Sequence, residues 1–180
     1  MAVAEKWRAC LARLKRVDID REVFWRSVPD AFKDTPLEWS PSFLDGNRYN
    51  PKEEFAALYF AGCMKLAEKE AEAKAKGKFL EPRVSLPFRM KIMEVIDLAD
   101  DDNLADLKRT LNIAKEELTQ AAGPTETGYK TTHLLGRAAY ELNIPGLRVL
   151  SSKGNELKTA RWHNLVLFPV KLLVPFIAPE

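Results

Sequence analysis

Five short apolar runs punctuate this chain: Glu22–Arg26, Phe55–Ala61, Lys91–Leu98, Leu147–Leu150 and Asn164–Phe168. Each is short for a globular helix and is bounded by turn or charged residues, so each reads as a strand. For Phe55–Ala61, periodicity fits a buried helix equally well. The intervals between the runs are unequal. Leu66–Lys76 is rich in Ala, Glu and Lys, which favour helix. Asn103–Thr110 follows the acidic run Asp100, Asp101, Asp102 and reads as a helix. Carboxylates suit a helix N-terminus because they accept from free backbone N–H groups and oppose the helix dipole. That capping role is expected over a metal site, since no further ligands are grouped there. Thr131–Leu142 reads as another helix, ending before Pro145-Gly146. Pro29, Pro36, Pro41 and Gly46 mark a long irregular stretch, and Gly123, Pro124 and Gly128 a loop. Strands and helices are interspersed without a regular strand–helix–strand rhythm. The expected class is α+β with a mixed or antiparallel sheet.

At the N-terminus, Val3, Trp7, Cys10, Leu11 and Leu14 recur at helical spacing among Lys and Arg. Charges at Glu5, Lys6 and Arg8 interrupt any signal-peptide run. The amphipathic helix is expected to pack on the domain's own core; a partner or a membrane surface is the alternative. The apolar tail Leu165–Ala178 is broken by Pro169, Lys171 and Pro175, short of the roughly 20 residues that span a bilayer. The expected location is therefore the cytoplasm, of the producing cell or of a target cell. A chain of 180 residues fits one domain, or one with a small appendage. Its 28 basic and 26 acidic residues give a net charge of +2, which argues against wholesale coating of nucleic acid but allows a local basic pocket. Cys10, Cys63, His133 and His163 show neither a disulfide framework nor metal-ligand spacing.

Glycine-rich phosphate loops, nucleophile elbows and paired zinc-binding histidines are missing. What remains is a set of polar residues at the edges of the apolar runs. Arg26 closes the first run; Arg48 and Tyr49 sit in Gly46-Asn47-Arg48-Tyr49-Asn50-Pro51. Tyr59 lies inside the second run, Glu70 on the following helix, and Ser151 and Ser152 after Leu147–Leu150. Singly, each has an ordinary structural reading: surface charge, satisfied core tyrosine, solvent-facing glutamate, turn serine.

In order, they resemble the RES-domain family, named for its Arg, Glu and Ser. Phe24-Trp25-Arg26 resembles the family's opening aromatic-Arg element, and Gly46–Pro51 its Gly-x-Arg-aromatic-Asn block. Leu58-Tyr59-Phe60-Ala61 with Ala67-Glu68-Lys69-Glu70 resembles its Leu-Tyr-x-Ala and Ala-x-x-Glu block. Val95-Ile96-Asp97-Leu98 resembles the next strand, and Gly146–Ser151 with Asn164–Pro169 the closing Ser block and last strand. The resemblance spans residues 22–170. Leu150 stands where the family often has Pro, Ser152 competes with Ser151, and the stretches 74–88 and 153–162 are extended.

The resemblance implies an ADP-ribosyltransferase-like fold, a split mixed or antiparallel sheet with flanking helices. It implies residues 21–180 as an NAD-binding domain; residues 1–20, the amphipathic helix, lie outside the resemblance. Its members are typically toxins that consume NAD and are blocked by an antitoxin or immunity protein plugging the cleft. NAD is then the substrate, without a metal. Arg26 and Arg48 would hold the pyrophosphate, for which Arg offers a fixed cationic fork. Tyr59, with Tyr49 as a second candidate, would form the apolar wall for nicotinamide. Glu70 would stabilise positive charge developing on the ribose as the C–N bond breaks. Ser151 would hold the amide or ribose, and Asn164 would support the pocket. Hydrolysis or phosphorolysis of NAD is the first expectation. Mono-ADP-ribosylation of a protein is the second, and a non-enzymatic interaction module the third. Direct nucleic-acid and membrane partners are not expected, and self-association into a homo-oligomer stays open.

Overall fold

A computed structural model describes residues 3–75, 81–114, 117–118, 129–151, 153, 163–171 and 176–179. In chain order the elements are α1 (Val3–Leu11), β1 (Arg16–Pro29), a 3-10 turn (Asp30–Phe32), α2 (Ser40–Asp45), β2 (Leu58–Ala61), α3 (Met64–Ala75) and β3 (Arg83–Asp97). Then follow α4 (Asp101–Leu111), α5 (Lys130–Glu141), β4 (Gly146–Leu150), β5 (His163–Leu167), a 3-10 turn (Pro169–Lys171) and β6 (Phe176–Pro179). The glycine loop expected around 123–128 and the extended stretch 154–162 lie outside the described residues.

Two antiparallel ladders make up the sheet. In one, β1 pairs with β3 from Arg16↔Ile96 to Pro29↔Arg83, and β6 pairs with β3 between Phe88 and Lys91. In the other, β5 lies between β2 and β4. The ladders meet at two narrow joints: the single pair Trp25↔Ala61, and the parallel pairs Ile96↔Leu147 and Asp97↔Arg148. The path β1-β2-β5-β4-β3 thus returns to β1 and closes a ring. The sheet is mixed and mostly antiparallel, as its irregular strand spacing implies.

Side-chain alternation divides the core between the two faces of the sheet. On β5, Leu165 and Leu167 join Phe24, Phe60, Phe88 and Met90 in one cluster. Val166 instead joins Trp7, Leu11, Leu107, Leu135 and Phe168 in a second, under the helices. Burying each large apolar side chain contributes on the order of 1.5–3 kcal/mol. The N-terminal helix packs in that second cluster through Trp7, Cys10 and Leu11, while Val3 stays exposed. Among the described residues, no helix is long and apolar enough to cross a membrane.

Several elements differ from expectation in extent. β1 is nearly three times, and β3 about twice, as long as its apolar run suggests. Bulges interrupt their alternation, with register shifts after Val17 and Asp20 and left-handed backbones at Arg21 and Glu94. Asp18 and Asp20 are exposed, and Asp18 Oδ1 accepts from Glu94 N at 2.9 Å across the ladder. Pro87, a strand breaker by sequence, sits opposite Trp25 within β3. The irregular stretch also contains α2, whose Pro41 sits in the first turn, where a missing N–H costs nothing. β2 starts at Leu58 rather than Phe55. Side chains satisfy the preceding backbone instead: Asn50 Nδ2 donates to Phe55 O at 3.2 Å, and Ala57 N donates to Ser42 Oγ at 3.2 Å. Asp100 caps α4 as expected, its Oδ1 accepting from Asp102 N and Asn103 N at 3.0 and 3.2 Å.

Candidate functional site

The groove opens where β1 and β2 part. Beyond Trp25↔Ala61 the two strands no longer pair, and Arg26 and Ser27 face Tyr59 across a gap. Two cavities occupy it. The inner one, about 110 Å³, lies against α3 and is lined by Ala61, Ala67, Glu70, Ala71 and Asn164 among others. The outer one, about 390 Å³, runs along Val28, Pro29, Phe32, Pro36, Pro41 and Ala57. Arg26, Ser27, Tyr59 and Arg83 line both and form the waist between them. The outer cavity alone falls in the roughly 300–1,000 Å³ range of small-molecule sites.

Helical spacing puts Ala67, Glu70 and Ala71 on one face of α3, and the two small residues leave room beside the carboxylate. Strand register does the same for the partners of Glu70. Asn164 lies between Ala61 of β2 and Val149 of β4, and Ser151 follows directly after β4. Ser151 Oγ donates to Glu70 Oε1 at 2.5 Å, and Asn164 Nδ2 donates to the same oxygen at 2.9 Å. The serine hydroxyl also accepts from Lys153 N at 3.0 Å, which fixes its direction. Among the described residues, Glu70 Oε2 receives no hydrogen bond, so one carboxylate oxygen is tied and the other is left for a ligand. Asn164 Oδ1 is buried without a partner. Ser152 lies outside the described residues.

Tyr59 is anchored by its hydroxyl, which donates to Asn50 Oδ1 at 2.8 Å and accepts from Tyr49 N at 3.0 Å. Burial pushes this phenol well above its usual range, so it stays a neutral wall of the groove. Asn50, fully buried, also donates to Ser42 O at 2.7 Å and accepts from Ser42 Oγ at 3.3 Å. It is the hub that holds the Arg48 loop against β2, a role that the sequence motif contained but did not reveal.

Tyr49 is not brought into the groove. Its side chain is 1% exposed, packs in the core under the helices and donates to Leu118 O at 3.3 Å. The loop before it presses on α5: a Cβ at Gly136 would sit 1.8 Å from Tyr49 O, and His133 Nε2 lies 2.9 Å from Asn47 O. Arg48 is half-buried, close enough to Tyr49 and Tyr59 for its charge to oppose the rise of both phenols, but is not among the residues lining the two cavities.

Arg26, the cation that closes the first apolar run, stands at the waist. Its Nη2 donates to Glu38 O at 3.2 Å and its guanidinium lies 5.6 Å from the Phe60 ring centre. Burial, and then the charge of Arg83, hold its pKa down to about 10. Arg83 was missed by sequence reading because it follows a Lys-rich stretch that looks like solvated surface. Only its distance from Ser27 across the long β1–β3 ladder, invisible in sequence, puts it in the groove.

Comparison with known proteins gives three findings. The RES domain family model matches residues 14–175. No curated protein matches the chain. Among solved structures, a chain in the crystal structure of the M. tuberculosis MbcT-MbcA toxin–antitoxin complex has a similar fold, with a TM-score of 0.68 and 16% sequence identity. The match covers 99% of this chain and 90% of that one, and at that identity it is a likeness of fold.

Proposed function

The chain belongs to the RES-domain family, and on that footing we propose that it is the NAD-consuming toxin of a toxin–antitoxin pair, acting in the cytoplasm. It breaks the bond between nicotinamide and the adjacent ribose. Nicotinamide leaves neutral with the bonding electron pair, and water or phosphate adds to the ribose carbon, losing a proton to give ADP-ribose or its 1″-phosphate. An antitoxin covering the groove would block entry of the dinucleotide. The two ladders joined at two narrow places support an ADP-ribosyltransferase-like split sheet.

What carries this reading is the floor of the inner cavity. A carboxylate fixed by Ser151 and Asn164 through one oxygen, with the other unbonded, suits an oxocarbenium-like transition state. Electrostatic stabilisation of this type works best when the group is held in place before charge develops. Tyr59 supplies the flat wall for nicotinamide. Arg26 holds the pyrophosphate, Arg48 adds positive charge near Tyr59 without lining either cavity, and Tyr49 serves through its backbone N–H, which anchors the Tyr59 hydroxyl. No metal enters the scheme.

Product analysis tests it. Purified protein incubated with NAD should release nicotinamide together with free ADP-ribose, or with ADP-ribose-1″-phosphate when phosphate is present. A macromolecule carrying ADP-ribose, with no free product, would replace hydrolysis by protein modification. NAD left intact would remove the enzymatic reading altogether.

A further inference from the structure

The waist of the groove holds two arginines whose charges oppose each other. Arg83 is fixed by Ser27: its Nε donates to Ser27 Oγ at 3.1 Å and its Nη2 to Ser27 O at 2.8 Å. Its remaining nitrogen, Nη1, is 3.7 Å from Glu81, an exposed carboxylate outside the groove lining. Both arginines line both cavities. Arg26 is half-buried and Arg83 is exposed, and like charges so placed on one groove gain when something of opposite sign joins them. The carboxylates of the groove lining do not fill that role. Glu70 is tied to Ser151 and Asn164 at the inner end. Glu38 accepts from Ser40 N and Ser40 Oγ at 2.7 and 2.5 Å, and offers Arg26 only its backbone oxygen. Asp45 is an exposed residue of the outer cavity.

We propose that Arg83 and Arg26 together form a diphosphate subsite at the waist, with Arg83 setting affinity for the dinucleotide rather than the rate of bond cleavage. The proposal rests on reading the groove as an NAD site and deepens it. A diphosphate is the group that chemistry demands there. It links two nucleoside halves, and the waist links a small inner cavity ending in Glu70 to a larger, proline- and phenylalanine-lined outer one suited to an aromatic base. Two guanidinium forks offer parallel N–H donors to its oxygens. Ser27 serves as a positioning residue, because its hydroxyl and carbonyl hold the Arg83 fork while the anion approaches.

The test is titration calorimetry with inorganic pyrophosphate and with ADP, on the full chain, beside nicotinamide-release kinetics. Arg83→Ala should weaken pyrophosphate binding at least 10-fold and raise KM for NAD by a similar factor, with kcat within about 2-fold. Arg83→Lys, which keeps the charge and guards against a folding defect, should lose about 3-fold. Arg109→Ala, removing an exposed arginine on α4, should change nothing. Wild-type affinity for pyrophosphate in folded Arg83→Ala, or no pyrophosphate binding by the wild-type chain, overturns the subsite. NAD turnover in that case leaves the functional reading standing. Arg83-dependent pyrophosphate binding without NAD turnover has the opposite meaning: the subsite holds and the reaction assignment fails.

Discussion

The two ends of the groove are stabilised in opposite ways. At the floor, Glu70, Ser151 and Asn164 come from three different elements and satisfy one another through hydrogen bonds. At the waist, Arg26 and Arg83 come from the paired strands β1 and β3 and repel one another. The floor is complete without ligand apart from one carboxylate oxygen and one amide oxygen. At the waist Glu81 reaches Arg83 only from outside the groove, and the proposed subsite would add an anion within it. Under that proposal, folding energy builds the reaction end, whereas ligand energy relaxes the recognition end.

This contrast can be broken by substitution. The largest effect belongs to Glu70→Gln, which keeps the shape of the side chain and removes its charge. The rate constant for nicotinamide release should fall by about 10²–10³-fold, the usual loss when one such electrostatic group is removed. Near-normal turnover would take Glu70 out of the chemistry. Arg26→Ala should act on binding instead, raising the apparent dissociation constant for NAD by about 10–100-fold, as expected for charge-assisted hydrogen bonds worth roughly 1.5–3 kcal/mol. Thermal stability should hold or rise, because a repelling charge has gone; a marked drop in Tm would mean that the waist is held together by Arg26 after all.

Asn164→Ala should behave in the other direction. It strips one hydrogen bond from Glu70, so stability should fall by about 1–3 kcal/mol in urea denaturation, with a loss of turnover alongside. Equal stability of wild type and variant would show that the floor is not bonded in the way described. The smallest effect sets the scale. Arg137 on α5 donates through Nε to Glu54 at 2.6 Å, and both side chains are 41% exposed. The Arg137 hydrogen bond holds the Glu54 carboxyl below its usual range. A carboxylate with a lowered folded pKa stabilises above its unfolded value, near 4.3, and loses that contribution as pH falls through the folded one. Arg137→Ala should therefore cost less than about 1 kcal/mol at pH 7, after solvent screening, and progressively less as pH falls through the folded pKa of Glu54. A penalty that persisted unchanged in acid would have another origin.

Sequence exposed the floor better than the waist for a physical reason. Ser151 and Asn164 stand at strand edges next to apolar runs, and Glu70 lies on a helix that its Ala-, Glu- and Lys-rich composition marks. Arg83 stands at the start of a strand that the sequence disguises: Pro82 and Pro87 flank it, and the apolar pattern becomes clear only from Lys91. Its place in the groove follows from the long-range register that pairs it with Pro29 and lets its side chain reach Ser27, which no local pattern encodes. Asn50 was legible as part of a motif but not as a hub, because its partners Ser42, Phe55 and Tyr59 are chosen by how the loop folds back. Tyr49 and Tyr59 looked equivalent as aromatics. Only the packing of one against α5 and of the other beside β1 separates them.

The closure of the strand ring also governs when the activity can exist during synthesis. Glu70 is separated from Ser151 by 81 residues and from Asn164 by 94. β5 is the strand that joins β2 to β4, so the nascent chain has no complete floor until β5 has been made. At roughly 5–20 residues per second, translation from Glu70 to Asn164 takes on the order of 5–20 s. Throughout that interval the ribosome carries a chain without a complete floor, and a product cut short before β5 would lack the Asn164 hydrogen bond to Glu70. The wide separation of the contacts also slows folding after release. Under the proposed function, an antitoxin already present would have that window in which to be ready before the first complete groove appears.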